Sequence, residues 1–595
     1  MYVVATAGHV DHGKSTLVKR LTGLEPDRWA QERERGLTID LGFVWTRTPA
    51  DRDVAFVDVP GHEKFLGNML AGVGPAPAVM FVVAADEGWQ EQSDDHRDAV
   101  DAFGIRHGLV VLTRADRASA QRRAEVETRV RRELAGTTLA DAPLVTVSAH
   151  TGEGVESLLR TLDEVLAAAP APAAEERVRM WLDRSFTIKG AGAVVTGTLA
   201  AGTVSVGDTL YLSTADGTRE VQVRSIQSEE STHDSIGPVN RVALNLRGVS
   251  TAEVGRGDAL LTPDAWPVVS VVDARRTSGA DFTQAPQEVA LHIGSAQVQA
   301  QVRPLGEGHV RLTLEQPLPL AVGDRMVLRK PGDRHVYAGV AVLDVDPPAL
   351  SRRGASTRRA ADLAALPLHG DAVHEVTRRG AVQRADLVRF GLDVPETPPT
   401  GIVAFRGWWI HAPQVIAWRN TLTDALDGHL AANPLSPGIS RGAALSTLHL
   451  PAEELLALPV AAAKLEQAEG LIRQPGAKID LGEAEAGVAK LEARLRKAPF
   501  VAPEADDLSV LKLGAKQLAA AERAGRLLRL AEGIVLLPDA PRKARTILAA
   551  LPQPFTTSDA RKALGTSRRV AIPLLEHMDA KAMTRRIDGA NRRVI

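Results

Sequence analysis

Residues 8–15 read GHVDHGKS, two glycines with four residues between them, then a lysine and a hydroxyl. In such a loop the backbone N–H groups and the following helix N-terminus face phosphate oxygens. Lys14 sets a charge between the outer phosphates, and Ser15 offers its hydroxyl to Mg²⁺. Gly8, His9, Val10, Asp11, His12 and Gly13 form this loop, and Thr16 continues the helix. Downstream, "VAFVDVPGH" ends in Asp58, a carboxylate near the metal, and Gly61, a backbone N–H near the terminal phosphate. Asp116 in "GLVVLTRAD" can accept two hydrogen bonds from the guanine N1–H and amine, a pair adenine does not present. Thr113 and Arg114 precede it, and Ser148 and Ala149 of "LVTVSAH" lie one strand further on. In "RERGLTIDLGF", Thr38 ends a charged run and can close on Mg²⁺ only while a γ-phosphate is present.

These residues need elements to hold them. "YVVATA" is a buried strand before the loop, "STLVKRLTG" a helix after it, and "VMFVVAAD" a further buried strand, so the text alternates as in a doubly wound α/β sheet. The length of 595 residues implies about four domains. Hydrophobic residues at 44% and charged residues at 24% are those of a globular chain, with no apolar run long enough to span a bilayer. The start has no basic n-region and reads as a strand, so no cleaved signal is expected. Cysteine is absent, which excludes disulfides and thiolate metal sites and fits a cytoplasmic location.

"GHVDHGKSTL", "RGLTIDLGF", "DVPGHEKF" and "TRAD" together resemble the translational GTPases, the family of elongation factor Tu, over about the first 170 residues. The resemblance implies GTP/GDP and Mg²⁺ as ligands, His62 positioning the attacking water, and hydrolysis triggered by the ribosome. The sequence departs from the pattern at Arg114, where lysine is usual, and Thr113, where asparagine is common. A threonine hydroxyl should tie the base loop to the phosphate loop less well than an asparagine, so GDP is expected to leave without an exchange factor.

After a Pro/Ala linker near 166–176 the period changes to two, with strands such as "RMWLDRSFTI" and "REVQVRSIQ" between glycine-rich turns. Two antiparallel β-barrels are expected, at 175–265 and 268–350, behind a P-loop GTPase domain at 1–170. "KGAGAVVTGT" is similar to the barrel that holds the aminoacyl end of tRNA in translational GTPases. Beyond 365 the stretches "GWWIHAP", "GLIRQP" and "GIVLLP" recur about every 60 residues after helical text, and "NRRVI" falls one period later. They predict four winged helices, at 365–413, 414–480, 484–540 and 541–595. The fold class is thus multidomain: α/β, all-β, then winged-helix repeats.

A translational GTPase followed by four winged helices is similar to the bacterial selenocysteine-specific elongation factors. That resemblance implies delivery of selenocysteyl-tRNA to the ribosome at UGA, an mRNA hairpin held by the C-terminal repeats, and a monomer without membrane partners. It also places Asp183, Arg184 and Arg241 in the selenocysteine pocket. The terminal repeat, 541–595, carries twelve Lys/Arg against four acids, while the whole chain has net charge -2. Arg568 and Arg569 at a helix start, with Arg585, Arg586, Arg592 and Arg593 on a hairpin, are the expected RNA contacts. Removal of 541–595 is expected to abolish hairpin binding. Two other readings remain: another elongation or initiation factor, which leaves the winged helices idle, and a DNA-binding regulator with a GTPase domain.

Overall fold

The computed structural model describes residues 2–26, 38–171, 173–188, 192–333, 335–476 and 481–595. The run "QERER", the start of "RGLTIDLGF" and residues 189–191 of "KGAGAVVTGT" lie outside the described residues. The chain forms two compact units, Met1–Glu375 with Gln383–Glu396, and Val376–Val382 with Thr397–Ile595. No helix among the described residues is long and apolar enough to cross a membrane.

The first unit begins with β1 (Tyr2–Ala7), β2 (Gly42–Arg47), β3 (Asp53–Asp58), β4 (Ala78–Ala84), β5 (His107–Thr113) and β6 (Leu144–Thr146). They make one sheet in the order β2-β3-β1-β4-β5-β6. Only β2 is antiparallel, paired with β3, and the other pairings are parallel. Helices cover both faces, which is why β1 and β4 are apolar without alternation. Val3, Val79 and Phe81 enter one core, and Val4, Met80 and Val82 the other. The strand order reverses around β1, so the glycine-rich loop leaves β1 at the switch point where open α/β sheets bind ligands.

Two closed antiparallel barrels follow. The first runs Thr209–Thr214, Ala259–Leu261, Arg179–Ile188, Gly192–Leu199, Asn240–Arg247, Gly217–Ser228 and back to Thr209–Thr214. The second closes six strands from Val268–Gly279 to Val336–Asp344. Each has its own core, the first around Leu182, Val195 and Leu244, the second around Leu291, Leu312 and Val340. Inside the second, Asp273 is fully buried and accepts from Arg311 Nε at 2.7 Å and Arg359 Nε at 2.7 Å. Arg359 also pairs with Asp344. Arg359 lies on the helix Ala355–Ala365, so a buried ionic network fastens that helix to the barrel.

Among its described residues the second unit holds four β-hairpins: Ile402–Phe405 with Trp408–His411, Glu466–Ala468 with Leu471–Arg473, Leu528–Ala531 with Ile534–Leu536, and Thr584–Arg586 with Asn591–Val594. The expected first repeat, 365–413, is divided between the two units. The last two repeats each set three helices before the hairpin. One apolar core runs through both, from Leu481 and Val488 through Val535 and Leu536 to Leu574 and Met578. Thr566 Oγ1 of the last repeat also donates to Phe500 O of the third.

Candidate functional site

The phosphate loop closes on itself. Lys14 Nζ donates to Gly8 O at 3.0 Å and His9 O at 2.9 Å, at the start of α1 (Lys14–Thr22). Gly8 has φ +128° and packs so closely on β4 that a Cβ would stand 2.1 Å from Val82 O, so only glycine fits. Asp11 and Thr16 are exposed, while His12 is buried. From below, the helix Glu91–Phe103 supports the loop: Gly8 N–H donates to His96 Nδ1 at 3.0 Å, and Val10 N–H to Gln92 Oε1 at 3.2 Å. Sequence reading missed both residues. Their signal is an i,i+4 spacing of two polar side chains on the face that continues into Ala99 and Phe103.

Burial lowers the His12 imidazole to about 3 and holds His96 well below its usual value, each first by desolvation and then by neighbouring cations. Both rings stay neutral, leaving Lys14 as the loop's own cation. Their unfolded rings protonate near 6.5, so above that pH the first unit has the full stability linked to these two rings. It loses stability as the pH falls from about 6.5 toward 3. Thermal melts of the full chain should therefore show the first transition falling steeply between about pH 6.5 and pH 4, and a midpoint that stays level across that range would contradict the assignment.

At the base end, Asp116 is exposed and accepts from Ser148 Oγ at 2.6 Å, a bond that holds its carboxyl below the usual range. Ala115 N–H donates to Val147 O, placing Ala149 beside the same loop. Thr113 Oγ1 donates to His12 O at 2.6 Å, and Arg114 reaches Asp11 O and Glu87. The base loop is thus tied to the phosphate loop by the threonine hydroxyl itself. Thr113→Val keeps the shape and deletes the bond, so GDP release measured by stopped flow should quicken by about fivefold to tenfold. An unchanged rate would mean the tie carries no load.

At the metal end, Ser15 Oγ and Thr38 Oγ1 lie 3.0 Å apart, and fully buried Asp58 accepts from Thr6 Oγ1 at 2.8 Å. Two hydroxyls and a carboxylate are the hard oxygen donors Mg²⁺ takes when phosphate and water complete its shell. No cluster of three or more His, Cys, Asp or Glu that could hold a metal occurs among the described residues. Gly61 is buried against the loop. His62 starts a short helical turn, its Nδ1 accepting from Lys64 N–H at 3.2 Å, which puts the neutral ring's proton on Nε2. The ring therefore caps a turn and presents a donor at its other edge.

In the first barrel, Asp183 takes both Nη groups of Arg241, and Arg241 Nη2 also reaches Thr196 Oγ1 at 3.1 Å. The Arg241 guanidinium lies 3.7 Å from the Phe43 ring centre and that of Arg184 5.6 Å from it. Both arginines line a cleft of about 290 Å³ with Phe43, Trp45, Phe186 and Thr196.

In the terminal repeat, Arg568, Arg569, Arg585, Arg586 and Arg593 are exposed, whereas Arg592 is 6% exposed. Arg592 turns inward, donating to Asp579 Oδ2 at 2.9 Å and Thr557 Oγ1 at 3.1 Å. Arg569 leans back onto Pro503 O, and Arg586 bonds the hairpin tip at Asp588 O and Gly589 O. Arg585 and Arg593 are direct cross-strand partners. Like charges facing across a pair, and two arginines with no acid in the first turn of Arg568–Ala580, are both unfavourable in isolation. A polyanion relieves both.

Comparison with known proteins follows this layout. Residues 1–168 match the Elongation factor Tu GTP binding domain, 273–349 the beta-barrel domain of selenocysteine-specific elongation factor, and 546–595 the winged helix of elongation factor SelB. The selenocysteine-specific elongation factor of Escherichia coli (strain K12) is 31% identical, over 98% of this chain and 97% of its own. A crystal structure of bacterial selenocysteine-specific elongation factor EF-Sec is 26% identical, with TM-score 0.77 over 100% of this chain and 99% of that one. Elongation factor 1-alpha of Pyrococcus abyssi, 29% identical, covers only 49% of this chain.

Proposed function

This chain belongs to the selenocysteine-specific elongation factors, and on that premise we propose that it carries selenocysteyl-tRNA to the ribosome at UGA codons marked by an mRNA hairpin. It hydrolyses GTP on decoding, with the ribosome as trigger, in the cytoplasm. The observation that carries the reading is the convergence of Arg184 and Arg241 over Phe43, beside Asp183, in one cleft. A selenol is ionised at neutral pH where a serine hydroxyl is not. Partly desolvated guanidinium donors therefore favour the selenolate, and an arginine keeps spare N–H groups when one carboxylate occupies an edge.

Lys14 and the loop N–H groups hold the phosphates, and Asp116, oriented by Ser148, selects guanine. Mg²⁺, held by Ser15 and Thr38, would neutralise charge developing on the phosphates. His62 orients water at its Nε2 edge, while Gly61 N–H senses the terminal phosphate. Arg568, Arg585 and Arg593 meet the RNA backbone. The deciding experiment compares binding of selenocysteyl-tRNA and seryl-tRNA to the full chain with a GTP analogue. Strong preference for the first is expected, and equal binding would overturn the proposal. Arg241→Ala should erase that preference.

A further inference from the structure

The segment after Thr38 is held almost residue by residue between Ser15 of the phosphate loop and the cleft lined by Arg184 and Arg241. Thr38 Oγ1 lies 3.0 Å from Ser15 Oγ, and Asn68 Nδ2 donates to Ile39 O at 2.8 Å. Arg184 Nη2 then donates to Asp40 Oδ2 at 2.9 Å and to Leu41 O at 3.0 Å. Phe43 ends the run beneath Arg241. Asn68 is fixed in turn by Arg256 of the barrel, whose Nη1 donates to its Oδ1 at 2.8 Å. Six residues of chain thus join the hydroxyls of the proposed Mg²⁺ site to both arginines of the cleft. Six residues span at most about 20 Å, so a displacement at Thr38 reaches Asp40 and Leu41, which Arg184 holds, within two or three residues of chain.

We propose that Asp40 is a positioning residue that couples the nucleotide to the amino-acid cleft. With a γ-phosphate present, Thr38 is docked, Asp40 follows, and the Arg184 guanidinium is aimed into the cleft. Without it, Thr38 releases, the Asp40–Arg184 pair opens, and the cleft loses one oriented cation. The ion pair is about 30% exposed on both sides, so it contributes little to stability by itself. Its role is to make the cleft's geometry depend on the nucleotide. The inference rests on the selenocysteyl-tRNA reading above and adds to it the residue that transmits the state.

The test uses the full chain as wild type, Asp40→Asn, Asp40→Glu and Asn68→Ala. Dissociation constants for selenocysteyl-tRNA are measured with a non-hydrolysable GTP analogue and with GDP. Asp40→Asn should weaken the GTP-analogue complex by about tenfold and the GDP complex by less than about twofold, so the ratio between them contracts. By reciprocity, the preference that selenocysteyl-tRNA adds for GTP over GDP should contract by the same factor. Asn68→Ala, which cuts the path away from the cleft, should contract the ratio in the same sense, and Asp40→Glu should restore part of it. Equal losses with both nucleotides would reduce Asp40 to a wall of the cleft and overturn the proposal, as would an unchanged ratio in Asp40→Asn. A wild-type chain with no preference for selenocysteyl-tRNA over seryl-tRNA would instead overturn the functional reading, and this inference with it.

Discussion

Replacing Gly61 with alanine should cut GTP hydrolysis by about a hundredfold to a thousandfold while GDP binding changes only a few-fold. A Cβ at this position would stand 2.4 Å from Lys14 Nζ, 2.5 Å from Val10 N and 2.8 Å from His9 C. The lysine tip could swing aside, but the loop backbone cannot. It is anchored from below by His96 and Gln92 through the N–H groups of Gly8 and Val10. The glycine segment would therefore retreat from the phosphate loop and take its N–H, and His62 next to it, out of reach of the terminal phosphate. Single-turnover hydrolysis and binding of fluorescent GTP and GDP measure the two effects separately. Hydrolysis within threefold of wild type would mean that the close approach of Gly61 has no part in the reaction.

The second large effect concerns the terminal hairpin. Substituting Arg585 and Arg593 together by alanine should weaken binding of the mRNA hairpin by about a hundredfold at low salt. It should also make the slope of log affinity against log salt shallower by roughly 1.5. The two side chains face each other across the strands, so removing them relieves repulsion and the melting temperature should not fall. Arg592→Ala is the control with the opposite signature. Its guanidinium is buried on Asp579, and deleting it takes the cation from that carboxylate, which keeps Thr584 Oγ1, so binding should weaken only in step with a lower melting temperature. If the double variant bound as tightly as wild type, the RNA surface would have to lie elsewhere on the repeats.

What could be read in advance divides along chain distance. The spacing of Gly8, Gly13, Lys14 and Ser15, and the order of Asp58, Asp116 and Ser148 along alternating strands, are local patterns, and a sheet of the expected class carries them. The two barrels announce themselves by their period of two, and the repeats by their recurring hairpins. Which distant segments meet leaves no such trace, even where a spacing such as that of Gln92 and His96 marks a polar pair. His96 supports Gly8 across 88 residues of chain, and Arg184 meets Asp40 across 144. The hairpin arginines fail to separate for a related reason. Arg592 and Arg593 are adjacent and chemically identical, and only the register that sets Arg592 over Asp579 sends one inward and the other out. The division of 365–413 between two units likewise follows from packing that no periodicity records.

The core common to the third and fourth repeats makes them a single cooperative folding unit. Cutting the chain before 541 would strip the cover from Val535 and Leu536, which are fully buried against it. The remaining third repeat would expose its core and aggregate rather than survive as a neutral truncation, so loss of RNA binding in such a fragment says little about which repeat makes contact. The same sharing means that a ligand gripped at the terminal hairpin slows opening of the whole pair. Backbone amides of Ile534–Leu536, far along the chain from any arginine of that hairpin, would then exchange with solvent more slowly when RNA is bound.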